Sequence, residues 1–480
     1  MIETHTLWAA ELGNMAMFVD ERHRSRFVVM LGAKATMSAD SIPHASGSPA
    51  ATKAAYEFLS NPRVQSTIIE HAVTGSTANA CCDESVVLVV HDTTTANFTG
   101  STTIPELGPI DSGFLAKGVH IHTSLVLDTT GVVVGIGAQQ IWVRPPESPG
   151  KKPPKEDEDK ESYKWIQGIE QVNESLWDAA YRNGQTAPPR QIHLGDREAD
   201  TCDTLQTIDD IGQSCVIRSV QNRTVDDPLH LAHDAVRGRA VIGEAELLVP
   251  RKGQSVERLA TVEIRVLQTT LVSNPTKHPN AWSMQFTLVE VYESNPPVGT
   301  TGLHWLLWTR EPADTLNQAL RVVALYKFRW KIEDFHFAYK SGCRVEDLRL
   351  RDFQALAKAL RMYAAVAARI VQMRDAARIE PEAPALGFLT ADECEVLQLK
   401  YSQKHVDPFR VPLTIGQAVM WIGRLGGHQN RKGDGMPGAR TLWRGLHDLK
   451  ILVEGYRAGK ALEKRRIANE LTLEKETCKG

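Results

Sequence analysis

The sequence has few cysteines, and their spacing builds no recognisable site. Its 480 residues include seven Cys, two of which are adjacent at Cys81 and Cys82, and no C-x-x-C pair occurs. This spacing excludes a secreted disulfide framework and a zinc knuckle. It favours a reducing setting, so we expect a cytoplasmic protein.

Long apolar segments and a large excess of one charge are also missing. No window approaches eighteen uninterrupted apolar residues, and the opening MIETHTLWAAELGN has no basic stretch before an apolar core. We therefore expect neither a membrane span nor secretion. The formal net charge of −3 is no general nucleic-acid signature, so any DNA contact must come from local basic patches. Gly135 and Gly137 lack the third glycine of a dinucleotide fingerprint.

The amino-terminal part of the chain, residues 1 to about 75, is predicted to be a helical domain. Its apolar periodicity indicates an amphipathic helix from Met15 to about Met37, a break at SADSIPHASGSP, and further helices at 50–60 and 64–71. Arg22 and Arg26 belong to a basic cluster on the first helix. Such a cluster can rest on DNA, although charge runs are usually only solvated faces.

Two aspartates follow predicted strands. The unbroken apolar run SVVLVV, residues 85–90, predicts a strand buried on both faces, with Asp92 at its carboxyl end. Residues 119–127 and 132–143 predict a hairpin, and 191–195 predicts a short strand that ends on Asp196. Taken singly, each Asp is also typical of an Asx turn or a helix cap.

The rest of the chain completes an α/β pattern. A charged, Pro-rich segment at 145–161 predicts an exposed crossover before a helix at about 162–181. Later strands are predicted at 215–220, 240–249, 259–267, 282–292 and 304–309, and helices follow to the end. This order matches a ribonuclease H-like α/β fold. We predict a catalytic core at 76–375 with an inserted antiparallel β-subdomain at about 221–302, flanked by helical domains at 1–75 and 376–480.

The stretch YKFRWKIEDFHFAYK, residues 326–340, predicts a helix with one charged and one apolar face. At about 100° per residue, its polar groups fall within roughly 60° of one another: Tyr326, Arg329, Glu333 and Lys340. The apolar residues gather about 110° away, which leaves the charged side free. An ordinary solvated face with i,i+3 and i,i+4 charge pairs is the simpler reading of this pattern.

This spacing resembles the Y-R-E-K signature of bacterial insertion-sequence transposases of the IS4 type, the cut-and-paste DDE enzymes that include the Tn5 transposase. The segments HDTT around Asp92, GDREAD around Asp196 and AAYEFLSNPRV in the amino-terminal region also match that family. The matches extend from about residue 55 to about 345. The resemblance implies that Asp92, Asp196 and Glu333 are the catalytic acids.

Three converging carboxylates also require a cation on physical grounds. Their mutual repulsion raises one or more pKa values, whereas a hard divalent ion prefers oxygen ligands and offsets the charge. We therefore expect two Mg²⁺ ions, with Mn²⁺ as a substitute, bound by Asp92, Asp196 and Glu333. Two such ions suit an in-line displacement at phosphorus.

The resemblance and the residue types together predict the DNA contacts. Arg329 and Lys340 suit phosphate groups, and Tyr326 suits a hydrogen bond to the DNA backbone. The family match makes Trp305 a residue that stacks on a flipped base, with a buried core aromatic as the alternative. Arg218 matches a family arginine near the DNA, although Val220 stands where a related enzyme has lysine.

Two other chemistries are weaker readings. Tyr326 as a covalent nucleophile, as in tyrosine recombinases, would leave the carboxylates redundant. His120 and His122 alternate on a predicted strand without other ligands, and such pairs are more often structural than metal-binding.

The function that these residues predict is that of a metal-dependent DNA transposase in the bacterial cytoplasm, associated with the nucleoid. It would bind the inverted ends of a transposon, cleave one strand to leave a 3′-hydroxyl, form and reopen a hairpin, and join the ends to target DNA. The family implies a homodimer in which each subunit acts on the end bound by the other. A catalytically idle end-binding repressor and a nuclease without strand transfer are the alternatives.

Overall fold

The computed structural model of the protein describes residues 4–100, 104–111, 115–145, 161–249, 257–273, 282–402, 412–431 and 433–477. The chain divides into two compact units. Residues 1–76, 96–119 and 334–480 form the first unit, and residues 77–95 and 120–333 form the second. Among the described helices, none combines the length and the hydropathy that crossing a lipid bilayer demands. Most of the predicted crossover at 145–161 lies outside the described residues.

The described residues form one mixed sheet of ten strands. The strands are β1 (Val86–Asn97), β2 (Gly108–Pro109), β3 (Lys117–Leu127), β4 (Val133–Trp142), β5 (Arg190–Gly195), β6 (Ser214–Arg218), β7 (Gly243–Val249), β8 (Arg258–Val272), β9 (Ser283–Tyr292) and β10 (His304–Thr309). Their order is β2-β3-β1-β5-β6-β10-β9-β8-β7, and β4 pairs with β3.

The α-helices precede, connect and follow the strands. They are α1 (Thr4–Met15), α2 (Glu21–Thr36), α3 (Ile42–Ser46), α4 (Pro49–Ser60), α5 (Ser66–Ala80), α6 (Tyr163–Arg182), α7 (Cys202–Asp210), α8 (Ala232–Arg237), α9 (Leu316–Lys327), α10 (Lys331–Phe337), α11 (Phe353–Ile379), α12 (Ala391–Tyr401), α13 (Ile415–Leu425) and α14 (Ala439–Thr477). The protein is thus a mixed α/β chain with helical amino-terminal and carboxy-terminal regions, as the sequence predicts.

Strand β1 is longer than predicted, and this changes the place of Asp92. Val87 to Val90 are fully buried, as the apolar run implies. The strand does not end there, because three β-branched threonines follow Asp92 and favour extended backbone beside β3. Asp92 therefore lies inside a strand, and its predicted position at a strand end is wrong.

The predicted hairpin is confirmed, and the inserted strands differ from expectation in one respect. Strands β3 and β4 pair antiparallel, with Ser124 opposite Ala138. The meander β7-β8-β9 is antiparallel, as predicted. It does not form a separate sheet, because β9 pairs with β10, where Leu307 faces Val289. The insertion therefore extends the central sheet.

The core of the second unit forms where helices cover the sheet. Helix α6 repeats apolar residues at helical spacing, and its Trp165 and Ile169 are buried. They belong to a cluster with Leu205 of α7, Ile217 of β6 and Trp308 of β10. This cluster packs β6 and β10 against α6 and α7.

Helices α2 and α3 begin at side-chain caps that the periodicity did not reveal. The predicted helix from Met15 to about Met37 is confirmed over Glu21–Thr36, but its start is wrong. Helix α1 ends at Met15, and α2 begins after Asp20, whose carboxylate accepts a hydrogen bond from the Arg22 N–H. The predicted break contains the short helix α3, which Ser41 caps and Gly47 ends at a φ of 69°.

The carboxy-terminal region is helical, as predicted. Helices α11 to α14 share a core that includes Leu397, Ile415, Val419, Leu442 and Leu449. The helical region therefore has a hydrophobic core of its own, as an independent domain requires.

Candidate metal centre

Two neighbouring strands of the second unit position the first two acids. Strands β1 and β5 are parallel, and Val90 of β1 is in register with Leu194 of β5. Asp92 lies two residues further along β1, and Asp196 lies two residues beyond Leu194, directly after β5 ends at Gly195. Because the Asp196 backbone is still extended and side chains alternate along an extended chain, the two acids share one side of the sheet. The prediction that these two strands are neighbours in the sheet is confirmed.

Glu333 comes to Asp92 from helix α10. Carboxylate oxygens of Asp92 and Glu333 lie within 4.8 Å of one another, a separation that suits ligands of one metal ion. The Glu333 side chain is 50% exposed and lies 3.8 Å from the Arg329 guanidinium. His336, which the sequence reasoning did not single out, follows one turn later on this helix and is buried.

Asp196 is near this pair but is held by its own backbone. Its Oδ1 accepts a hydrogen bond of 2.8 Å from the Glu198 N–H and thereby caps the 3₁₀ turn Arg197–Ala199. Among the described residues, Asp196 is outside the 4.8 Å group that contains Asp92 and Glu333. Its negative charge nevertheless acts on Asp92. Asp196 can therefore cap this turn and also act as a negatively charged neighbour of Asp92.

The electrostatics of Asp92 reflect its burial and the neighbouring carboxylates. Burial and, to a lesser extent, the charges of Asp196 and Glu333 together raise the pKa of Asp92 to about 7, against the opposing effects of the Thr93 N–H and Arg329. The Thr93 N–H donates to Asp92 Oδ1 at 2.8 Å. A half-buried carboxylate next to two others is a suitable ligand for a hard divalent cation, since the cation offsets their repulsion.

The predicted continuous helix at 326–340 is interrupted. Helix α9 ends at Lys327, a 3₁₀ turn covers Phe328–Trp330, α10 follows, and a π turn covers Ala338–Gly342. The predicted apolar side is confirmed where Ile332, Phe335 and Tyr339 are buried. The prediction that the polar side of this helix is free of contacts is wrong for Tyr326, which is only 4% exposed.

Tyr326 is buried because two strands bring side chains against it. Its hydroxyl is hydrogen-bonded to Arg218 of β6, and its ring packs against Trp305 of β10 at 5.3 Å between centroids. The Arg218 guanidinium also donates to the His304 carbonyl at 3.1 Å. Burial lowers the pKa of Arg218. Trp305 is half-buried, so the alternative that it is a fully buried core aromatic is wrong. Trp308 is the fully buried tryptophan of this strand.

The Tyr326→Phe protein tests this arrangement. Loss of the hydroxyl removes the bond to half-buried Arg218, so we expect the free energy of unfolding to fall by about 1 kcal/mol. Urea denaturation measures it. Tyr181→Phe is the matched control, because Tyr181 is 85% exposed and should show no change. Equal losses in both proteins would contradict the assignment.

The other predicted basic residues lie in the first unit. Lys340, in the π turn, is 3.5 Å from Glu346 and 31% exposed. The Arg22 side chain is 89% exposed and is paired with Asp20, while Arg26 is half-buried on the same helix. Exposed guanidinium groups of this kind can reach a phosphate backbone.

Comparison with known families matches both ends of the chain. Residues 5–64 match a family described as transposase DNA-binding. Residues 365–465 match the family described as the Tn5 transposase dimerisation domain. These matches confirm the resemblance to Tn5-like, IS4-type transposases. The three acids lie between the two matched segments.

One solved structure that matches part of this chain is titled as a cryo-EM structure of the piggyBac transposase synaptic complex with hairpin DNA. The two chains are 9% identical, and the superposition has a TM-score of 0.31. It covers 61% of this chain and 48% of that chain, so this chain spans about half of the other's length.

Proposed function

We propose that this chain, whose two ends match transposase DNA-binding and Tn5 dimerisation segments, is a cut-and-paste DNA transposase of the DDE type. The observation that carries the proposal is the meeting of Asp92 and Glu333 within 4.8 Å, with Asp196 directly after the end of β5, the strand that pairs with β1. These acids are the ones that the family motifs select. They come from three separate parts of the sequence.

The proposed catalytic core is ribonuclease H-like. The order β4-β3-β1-β5-β6 places the first strand of the core at the centre, flanked by a hairpin on one side and by two parallel strands on the other. This order agrees with the ribonuclease H-like arrangement that the sequence predicts. The antiparallel meander β7-β8-β9 continues the sheet beyond β10.

The proposed metal ligands are Asp92, Asp196 and Glu333. Their fit is supported by the pKa of Asp92, which burial and the neighbouring charges of Asp196 and Glu333 raise to about 7. When bound, two Mg²⁺ or Mn²⁺ ions supply activation of the attacking oxygen and charge stabilisation for the leaving oxygen at phosphorus. The protein's own task is to hold three carboxylates against one phosphodiester.

The remaining residues of the second unit are proposed to position the DNA end. Arg329 can neutralise a phosphate, and its contact with Glu333 at 3.8 Å keeps it beside the acids. Trp305 exposes part of its ring for stacking on a base. Since Tyr326 is buried, we propose that it supports Arg218 and Trp305 and does not contact the DNA backbone directly.

In the first unit, Arg22 and Arg26 lie within the segment that matches the DNA-binding family, and Lys340 supplies a further positive charge. We propose that they contact the double-stranded transposon end. The match at 365–465 supports a homodimer in a synaptic complex with two ends. The resemblance to Tn5-like transposases supports the proposed DNA hairpin and the joining of the 3′-hydroxyl ends to target DNA.

Incubating the protein with Mg²⁺, plasmid and labelled end DNA tests this function. Joined products support a transposase. Cut products without joining would indicate a nuclease, and binding without cutting would indicate an idle end-binding repressor. The candidate end DNA comes from sequences that flank the gene, where short inverted repeats bordered by a direct duplication are expected.

A further inference from the structure

Three imidazoles are buried behind Asp92, on the opposite face of β1. His91, His122 and His193 are 2%, 0% and 1% exposed, and they belong to three strands, β1, β3 and β5. Burying polar rings costs free energy unless hydrogen bonds compensate for lost water. A core that needed only to be packed would be served better by apolar residues.

His91 links the neighbouring strands through both ring nitrogens. Its Nδ1 is 2.9 Å from the Ser124 hydroxyl of β3, and its Nε2 is 2.9 Å from Nδ1 of His193 on β5. The rings of His91 and His193 are stacked with centroids 5.2 Å apart. The chain of contacts therefore runs across three strands at the level of the acids.

Thr93, which follows Asp92, is also hydrogen-bonded to a buried histidine. The Thr93 hydroxyl is 2.9 Å from Nδ1 of His122. The His122 ring packs edge-on against Trp165 of α6 at 4.7 Å between centroids. Asp92 is thus flanked by two residues whose side chains are both hydrogen-bonded to histidines.

Helix α6 leaves room for this cluster. At Gly168, a Cβ atom would lie 2.8 Å from the Ser124 hydroxyl and 3.4 Å from Nδ1 of His91. The first of these distances is too short for any side chain. Glycine at this position therefore allows the helix to pass over the network without displacing it.

We infer that His91, Ser124 and His193, together with Thr93 and His122, are positioning residues that hold the Asp92 carboxylate in the orientation that metal binding needs. Successive side chains of a strand point to opposite faces. Bonds to residues 91 and 93 behind the sheet therefore prevent β1 from rotating and turning Asp92 away. The inference rests on the proposed function. Groups that orient metal ligands in this way typically contribute 10- to 100-fold in affinity.

Mn²⁺ titration without DNA, followed by electron paramagnetic resonance, tests the inference. Ser124→Ala and Thr93→Val each remove one hydroxyl, and we expect them to weaken the Asp92-dependent Mn²⁺ affinity about 10-fold or more. Thr93→Ser keeps a hydroxyl and should retain affinity within about 2- to 3-fold. Thr123→Val is the matched control. It removes a buried hydroxyl from the neighbouring residue of β3 that is bonded to Gln139.

Thermal unfolding identifies the variants that remain folded, and Thr93 provides a half-buried alternative if Ser124→Ala does not fold. Folded Ser124→Ala and Thr93→Val proteins that bind Mn²⁺ as tightly as the unchanged protein would overturn the inference and leave the proposed function standing. If the unchanged protein and Asp92→Asn bind Mn²⁺ equally, the metal centre itself is wrong and the proposed function fails. Equal weakening by Thr123→Val would also overturn the inference, because it would indicate a general packing effect.

Discussion

Asp92→Asn is expected to reduce metal-dependent cleavage of end DNA by about 10³-fold or more while leaving DNA binding nearly unchanged. Asn has almost the same shape as Asp and can still accept the Thr93 N–H. It cannot supply the negative charge that faces Glu333 within 4.8 Å. Since a bound metal ion contributes several kcal/mol to the transition state, the loss of one ligand should affect chemistry and spare binding.

Cleavage of labelled end DNA and a gel-shift titration on the same protein preparations measure the two effects. Asp210→Asn is the matched control, because Asp210 is an exposed acid on α7 and its replacement should leave both activities intact. Glu333→Gln and Asp196→Asn should behave like Asp92→Asn. Cleavage that survives in Asp92→Asn within about tenfold of the original rate would remove Asp92 from the metal centre.

Asp92→Asn is also expected to make the metal-free protein more stable at pH 8, by on the order of 2–4 kcal/mol. The pKa of Asp92 is raised from 3.8 to about 7 in the folded protein. Between these pH values the folded state holds the proton and the unfolded state does not. Raising the pH therefore favours unfolding, and the cost is complete above about pH 7.

Denaturation in the presence of a chelator at pH 4 and at pH 8 measures this effect. The two proteins should differ least near pH 4, where Asp92 is protonated in the folded state and about half protonated in the unfolded state. The stability advantage of Asn should then grow with pH. Added Mg²⁺ at pH 8 should stabilise the unchanged protein and should have little effect on Asp92→Asn. A stability difference that does not vary with pH would contradict the raised pKa.

Most strands could be predicted from the sequence because their residues are buried on both faces. The apolar run before His91 and the short run before Asp196 leave few alternatives to a central strand. Their parallel pairing then places Asp92 and Asp196 on one side of the sheet. The end of β1 was missed because the threonines after Asp92 carry no strong periodicity and are extended beside β3.

The helix that carries Glu333 was predicted only in part. A wheel built from a constant 100° per residue cannot anticipate the 3₁₀ turn Phe328–Trp330 or the π turn that begins at Ala338. Nor can it show that Tyr326 is covered, since Arg218 and Trp305 come from strands far away in sequence. The amino-terminal helices were misplaced for a local reason, the cap that Asp20 provides.

The buried histidines illustrate a different limit. The sequence presents His120 and His122 as an alternating pair, whereas the structure places His120 against Trp142 and bonds His122 to Thr93. The partner of His91 on β5 lies about a hundred residues further along the chain. The alternation of one strand contains no information about contacts across three strands.

The sequence alone determined which acids are candidates, which segments form the central strands, and that the two ends are helical, because these follow from residue type and local periodicity. Only the tertiary structure decided that Asp92 meets Glu333, that Tyr326 is buried beneath Arg218 and Trp305, and that histidines support β1 from behind. These contacts join residues that are distant in the chain. Their geometry depends on strand register and helix packing, which minimise the free energy of the whole fold and not of any one segment.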